Sequence, residues 1–286
     1  MQANNHSDSL LTLNLILALL FLASNSVLCK LAFVNEGIDA FSFTAIRLFS
    51  GALVLFILVF LTTQSKIKQK GSLLLGFLLF VYAICFSYSY LLIDTGIGAL
   101  ILFGMVQITM IGYAMVKKMI TPIKLVGALI AFLGLAVLLF PSKEFTVSLE
   151  GFFLMAIAGI AWGIYSILGK NIQNPLQTTS NNFFYSMFFI VLLSFFLNEK
   201  LHVSHSGFWF AFLSGGITSG IGYVLWYSVV QKIQTTTASI IQLSVPVVST
   251  MGGILFLQEE LTFQLILATI IILSGIAISS MKGFKR

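Results

Sequence analysis

Apolar residues come in runs of about twenty, parted by short polar breaks, and this pattern holds along the whole chain. A helix of that length crosses the roughly 30 Å hydrocarbon core of a bilayer. The pattern predicts ten spans: Leu11–Phe33, Phe41–Thr62, Ser72–Ile93, Gly98–Val116, Ile123–Phe140, Gly151–Lys170, Phe183–Leu197, Phe208–Val230, Ala238–Leu257 and Phe263–Met281. The runs do not alternate in the manner of barrel strands of roughly ten residues. The expected fold class is an all-α polytopic membrane protein with ten transmembrane helices, and the short connections leave no room for a soluble domain between them.

One stretch breaks the pattern. Thr235–Glu260 reads TTTASIIQLSVPVVSTMGGILFLQEE, with Thr, Ser and Gln scattered through an apolar run. Pro246 sits near its middle, and two acids close it. Backbone and side chains this polar survive in a bilayer only where protein or water covers them. The stretch therefore reads as a cavity lining.

Composition agrees with the pattern. Hydrophobic residues make up 58% of the 286, charged residues 8%, and mean hydropathy is +1.04. The net charge of +6 lies in short loops and implies no nucleic acid. Cys29 and Cys85 both fall inside spans, so a disulfide framework is not expected. No Lys or Arg precedes Lys30, and the first apolar run is long for a signal-peptide core, so it reads as a retained helix.

Charge sets the expected orientation. With the N-terminus inside, the cytoplasmic side collects Lys66, Lys68, Lys70, Lys117, Lys118, Lys124, Lys170, Lys232, Lys282, Lys285 and Arg286. The outer side keeps Lys30, Lys143 and Lys200. Eleven against three is a strong positive-inside bias, as expected of a multi-pass inner-membrane protein with both termini cytoplasmic. The outer loops hold most of the acids: Glu36, Asp39, Asp94, Glu144, Glu199, Glu259 and Glu260.

The chain also repeats itself. A shift of about 140 residues lays Ser26–Lys30 on Ser166–Lys170, and Gly98–Thr121 on Thr237–Glu260. This divides the chain into a repeat at 1–141 and a second at 142–286, each with five spans. An odd number of spans inverts one repeat against the other, and such folds bind solute near the midplane.

These residues carry a family resemblance. Ala238-Ser239, Pro246, Gly252-Gly253 and Leu257–Leu261, which contains Glu259 and Glu260, form a pattern of small residues, a mid-helix proline and an LxE motif. Phe43–Ala52, containing Arg47, supplies a second-helix Arg segment. Together they resemble the EamA branch of the drug/metabolite transporter superfamily. The first copy departs from it, with Gln107 where the proline would be and Met119–Thr121 in place of the acids. The resemblance implies a ten-helix carrier whose cavity is walled by helices 1, 3, 4, 6, 8 and 9 and which exports amino acids or other small metabolites.

Candidate binding residues are those whose chemistry is costly in a bilayer. Arg47 is the one Arg within a span, about six residues in, or roughly 9 Å at helical rise. It reads as an anchor for a carboxylate or phosphate or as an outer gate, with snorkelling to headgroups or pairing with a helix end as the alternative. Trp162 and Tyr165 lie at i, i+3 on helix 6. Tyr223, Trp226 and Tyr227 lie at i, i+3, i+4 on helix 8. Tyr82, Cys85 and Ser89 share a face of helix 3, and Tyr88 is counted among its aromatic candidates. These rings suit stacking on a ligand, or else ordinary helix packing. Asn14 and Asn25 share a face of helix 1. Gln107 and Gln242 sit in helices 4 and 9, where interhelical hydrogen bonding is the alternative to binding. Pro246 frees a carbonyl near Gln242. The expected substrate-binding set is Asn25, Arg47, Tyr82, Tyr88, Gln107, Trp162, Tyr165, Tyr223, Trp226 and Gln242.

All nine acids lie at span ends or in loops, so proton symport through a buried carboxylate is not expected. His202 and His205 form an HxxH pair in a loop and read as incidental. Gly215-Gly216 and Gly220-x-Gly222 suit helix packing, not a phosphate loop. No enzyme activity, cofactor, metal or nucleic-acid partner is expected. The expected partners are a small-molecule substrate and the lipid bilayer, with the chain a monomer or homodimer. An importer or exchanger of a nucleoside-like or cofactor-like solute such as S-adenosylmethionine, or a non-transporting scaffold, are the other readings.

Overall fold

The computed structural model describes residues 2–34, 37–62, 71–117, 121–140, 147–169, 174–197, 200–230, 232, 242 and 244–280. Lys66, Lys68, Lys70, Lys118, Lys143, Lys170, Lys282, Lys285, Arg286, Glu36, Glu144 and Glu199 of the charge pattern lie outside the described residues, as do Met119, Ile120 and 233–241. The helices are α1 Gln2–Phe33, α2 Ala40–Thr62, α3 Leu73–Leu92, α4 Thr95–Val116, α5 Pro122–Leu139, α6 Leu149–Gly169, α7 Pro175–Ser194, α8 His205–Leu213, α9 Gly222–Val230, α10 Ser244–Leu257 and α11 Phe263–Ser280. A π-helical turn, Ser214–Ile221, runs between α8 and α9 and makes one continuous rod of the three. Seven of these runs are long and apolar enough to cross a membrane, and α10 and α11 are shorter apolar helices. The chain is an all-α polytopic membrane protein with around ten helices.

Two boundaries differ from the hydropathy reading for physical reasons. α1 begins nine residues ahead of its apolar span. α7 begins at Pro175, eight residues ahead of the expected Phe183, because its first two turns are polar. The start signal there is chemical: Asn174 Oδ1 accepts from Gln177 N at 3.1 Å, and Pro175 occupies the first helical position. Thr178, Thr179 and Asn182 of that half are buried. Asn182 has no exposed surface, and its Oδ1 accepts from Ser72 N at 3.3 Å.

The chain forms two compact units. One comprises Met1–Phe80 and Gly169–Ile233, the other Val81–Leu168 and Gln234–Arg286. Each therefore takes helices from both the 1–141 and the 142–286 segments. The expected repeat would pair α2 with α7, α4 with α10 and α5 with α11. Each of these three pairs packs together inside one unit.

Lipid gives helices no hydrophobic reason to associate, so close packing and polar contacts carry the work. In the second unit, Gly275 of α11 lies against α5, where a Cβ would come within 2.6 Å of the Gly127 carbonyl. Gln264 Nε2 donates to the carbonyls of Val137 at 2.9 Å and Phe140 at 2.6 Å, closing the end of α5. Glu259 does the reciprocal job on α4. Its Oε1 accepts from Thr95 N at 2.7 Å and its Oε2 from Gly96 N at 3.4 Å. A carboxylate there satisfies first-turn amides and meets the positive end of the helix dipole. Gln258, at φ 56°, turns the chain back to reach it, and Gly253 leaves the carboxylate its space.

In the first unit Asp39 caps α2 through Ser42 N at 2.8 Å, and its other oxygen accepts from His202 N at 2.7 Å. Asp39 and Glu259, two acids at span ends, thus serve as helix caps. Glu259→Ala is expected to destabilise the protein by about 1–2 kcal/mol. Glu259→Gln, which keeps an acceptor, should cost less. Thermal unfolding of the purified variants ranks the two.

Candidate functional site

In the first unit, polar groups from three helical rods meet in an apolar bundle. Asn25 of α1 is 1% exposed, and its Oδ1 lies 2.9 Å from Ser214 Oγ, 2.6 Å from Thr218 Oγ1 and 3.1 Å from Ser219 Oγ. Ser219 Oγ in turn accepts from Arg47 Nε of α2 at 3.0 Å. Arg47 Nη2 donates to Tyr223 Oη at 3.2 Å. The Tyr223 ring packs on Phe183 of α7, 6.0 Å between centroids.

The π winding makes this convergence possible. In an α-helix, five residues turn through roughly 500°, which would leave Ser219 about 140° around the axis from Ser214. Bonds closing at i+5 bring Ser219 back under Ser214, so both share a face with Thr218. Gly215 lets α2 approach that turn, since a Cβ there would overlap the Arg47 carbonyl and Ser50 Oγ.

Arg47 does not snorkel. It is 1% exposed, and the bonds just described direct its head to hydroxyls of the π turn and α9. Trp226 and Tyr227 of α9 are buried as well. Asn14, which shares a face with Asn25, is half-buried and takes no part in the cluster.

The second unit holds an aromatic ladder. Trp162 and Tyr165 of α6 stack, with centroids 5.4 Å apart and planes at 17°. Trp162 meets Tyr82 of α3 at 5.0 Å. Tyr82 continues to Phe86 at 5.4 Å, and Phe86 to Tyr90 at 4.7 Å. Phe86 and Tyr90 extend the series from Tyr82 at i+4 and i+8, whereas the expected face joined Tyr82 to Cys85 and Ser89. Ser89 Oγ instead donates to the Gly151 carbonyl at 2.6 Å. Tyr88 is half-buried and lies off the ladder face. Gln107 of α4 and Gln242 are each 5% exposed. Pro246 is buried in α10.

A cavity of about 350 Å³ opens elsewhere in this unit, lined by Asp94, Ser148, Thr250, Glu259, Glu260 and Thr262 among others. None of the ten expected site residues lines it. Among the described residues no group of three or more His, Cys, Asp or Glu is placed to hold a metal ion. His205 Nε2 accepts from Trp209 Nε1 at 3.2 Å, which occupies one nitrogen of the HxxH pair.

The sequence profile of the EamA-like transporter family matches residues 149–281. An uncharacterized protein of Pseudomonas aeruginosa is 40% identical over 264 residues, 92% of each chain. The uncharacterized transporter YoaV of Bacillus subtilis is 24% identical over 261 residues, 85% of this chain and 88% of its own. An uncharacterized transporter of Archaeoglobus fulgidus is 28% identical over 208 residues, 69% of this chain and 72% of its own. One solved crystal structure superposes with a TM-score of 0.68 over 95% of this chain and 97% of its own, at 17% identity, which is a likeness of fold. A helical membrane fold with polar clusters inside apolar helices, matched by these relatives, makes the chain a membrane transporter, and it belongs to the EamA-like transporter family of the drug/metabolite transporter superfamily.

Proposed function

We propose that the chain is an inner-membrane secondary carrier that moves a small metabolite, an amino acid or derivative, outward by alternating access. Its two five-helix repeats run in opposite directions, and both termini face the cytoplasm. The observation that carries the reading is the Arg47 cluster: a guanidinium, an amide and four hydroxyls held inside one apolar bundle. An Arg at the centre of a membrane helix costs about 2.5–3.5 kcal/mol and less nearer the helix end, where Arg47 sits, and intramembrane charge of this kind marks solute pathways. The pairing of α2 with α7, α4 with α10 and α5 with α11 supports the repeat, since helices related by a pseudo-two-fold meet at its axis. The absence of acids from the middle of the spans supports facilitated diffusion or exchange over proton symport.

The ladder at Trp162 and Tyr165 favours a solute with an apolar or aromatic part. It suits a nucleoside-like or cofactor-like solute equally, which is the second reading. Thermal-shift measurement of the purified protein against amino acids, nucleosides and S-adenosylmethionine distinguishes them. The proposal expects stabilisation by at least one amino acid, lost in Trp162→Phe, which keeps a ring and removes the indole N–H and its size. A response confined to nucleosides or S-adenosylmethionine favours the second reading, and no response to any compound sinks both.

A further inference from the structure

The π turn sets α9 in a register that α winding of the same residues would not keep. Ser214 and Thr218 stand at i and i+4, so they share a face in either winding, and their approach to Asn25 does not depend on the turn. Ser219 and Tyr223 differ. They meet Arg47 at 3.0 Å and 3.2 Å because bonds closing at i+5 hold back everything after Ser214. π winding is mostly confined to single turns, and here it runs over the eight residues Ser214–Ile221. The ordinary i+4 ladder favours α winding of this segment, and the bonds of Ser219 and Tyr223 to Arg47 favour π.

Return to α winding advances α9 by one residue, about 100° around its axis and about 1.5 Å along it. Each residue then takes the place of the next. Gly222 replaces Tyr223 opposite Arg47 and beside Phe183, so a phenol ring gives way to a hydrogen atom. Trp226 replaces Tyr227, one buried ring for another. Ile221 replaces Gly222, where a Cβ would come within 2.9 Å of Phe21 Cβ, so α1 moves with the shift. We propose that Ser214–Ile221 is a register switch: in π winding Tyr223 covers Arg47, and in α winding Gly222 uncovers it to the solute. The proposal rests on the carrier reading above and deepens it, because it makes Tyr223 the gate of the Arg47 cluster. It also ties that gate to α1, which packs along α9.

Deletion of Ile217, an exposed residue, tests the switch. With one residue removed, Ser214, Thr218 and Ser219 fall at i, i+3 and i+4 of an ordinary α-helix, and Tyr223 keeps its place opposite Arg47. The variant retains the contacts of the cluster and loses the second register. Arg47 and Arg286 are the two arginines of the chain, so phenylglyoxal, which adds to guanidinium groups, reads Arg47 in the peptide that carries it. In the full chain in detergent, Arg47 is expected to be modified. In the deletion its rate should fall about tenfold or more, following the population of the uncovered register. Counterflow of amino acids through proteoliposomes should fall with it. Arg47 unmodified in the folded native chain, equal rates in the two chains, or native counterflow in the deletion each overturn the switch. If the deletion fails to fold, deletion of Gly216 gives the same spacing. If both fail, the native chain decides: a modification rate unchanged by low concentrations of SDS reports a local opening and supports the switch, and a rate that rises in step with global unfolding overturns it. The two layers separate, since no counterflow by the native chain removes the carrier reading, while the contrast in Arg47 modification still tests the register.

Discussion

Arg47→Lys is expected to lower solute exchange by about tenfold or more while leaving insertion and folding intact. Insertion scales charge Lys and Arg similar amounts, about 2.5–3.5 kcal/mol at a helix centre, so the membrane does not discriminate between them. The geometry does. Nε and Nη2 leave the guanidinium in fixed, different directions, one to Ser219 at 3.0 Å and one to Tyr223 at 3.2 Å. A lysine ammonium is a compact point charge on a flexible stem and does not reproduce that fork. Losing the Ser219 bond also frees that hydroxyl from the relay to Asn25. The measurement is the initial counterflow rate per reconstituted protein. A wild-type rate in Arg47→Lys would mean that charge alone is used and that the hydroxyl relay has no part in transport.

The second large effect is expected at Gly215. A methyl group there would overlap the carbonyl of Arg47 itself, so Gly215→Ala pushes the backbone of α2 off the π turn. Overpacking against backbone costs about 1–3 kcal/mol, and a displacement of even one ångström breaks a 3.0 Å bond. Gly216 provides the control. A Cβ there meets Val54 Cγ2 at 2.9 Å, a side-chain methyl, with the Ser50 carbonyl at 3.7 Å. Gly216→Ala should therefore fold and transport nearly as the native chain does, while Gly215→Ala melts lower and exchanges poorly. Equal behaviour of the two variants would show that the approach of α2 to the π turn is not what sets the cluster.

The residues that could be read from sequence were those whose chemistry is expensive in lipid. Arg47 and Asn25 stand out by type alone, and Tyr223 by its neighbours at i+3 and i+4. Ser214, Thr218 and Ser219 did not, because hydroxyls are cheap in a membrane helix. Judged on a 3.6-residue period, moreover, Ser219 points away from the other two. Only the π turn aligns them, and no local composition announces it beyond the glycines of 215–222.

The spans themselves were legible because hydropathy is summed over some twenty residues. α7 was placed late where Gln177–Asn182 lowered that sum, although Asn174 and Pro175 marked its start. Which helices pack together was not legible. A lipid-facing surface is as apolar as a helix interface, so the periodicity that orients helices in a soluble protein carries little information here. The mixing of both sequence halves in each compact unit follows from those contacts and has no local signature. Glu259 shows the same limit from another side. Its position at a span end was read as topology, while its bonds to Thr95 and Gly96 depend on a left-handed Gln258, a conformation that non-glycine residues rarely advertise.

The most direct measurement is counterflow in proteoliposomes loaded with unlabelled amino acid and given a trace of the same labelled amino acid outside, with and without a proton ionophore. The account predicts transient accumulation of label for at least one amino acid, dependent on the internal load and unchanged by the ionophore. Accumulation abolished by the ionophore, or none for any of the twenty amino acids, would contradict it.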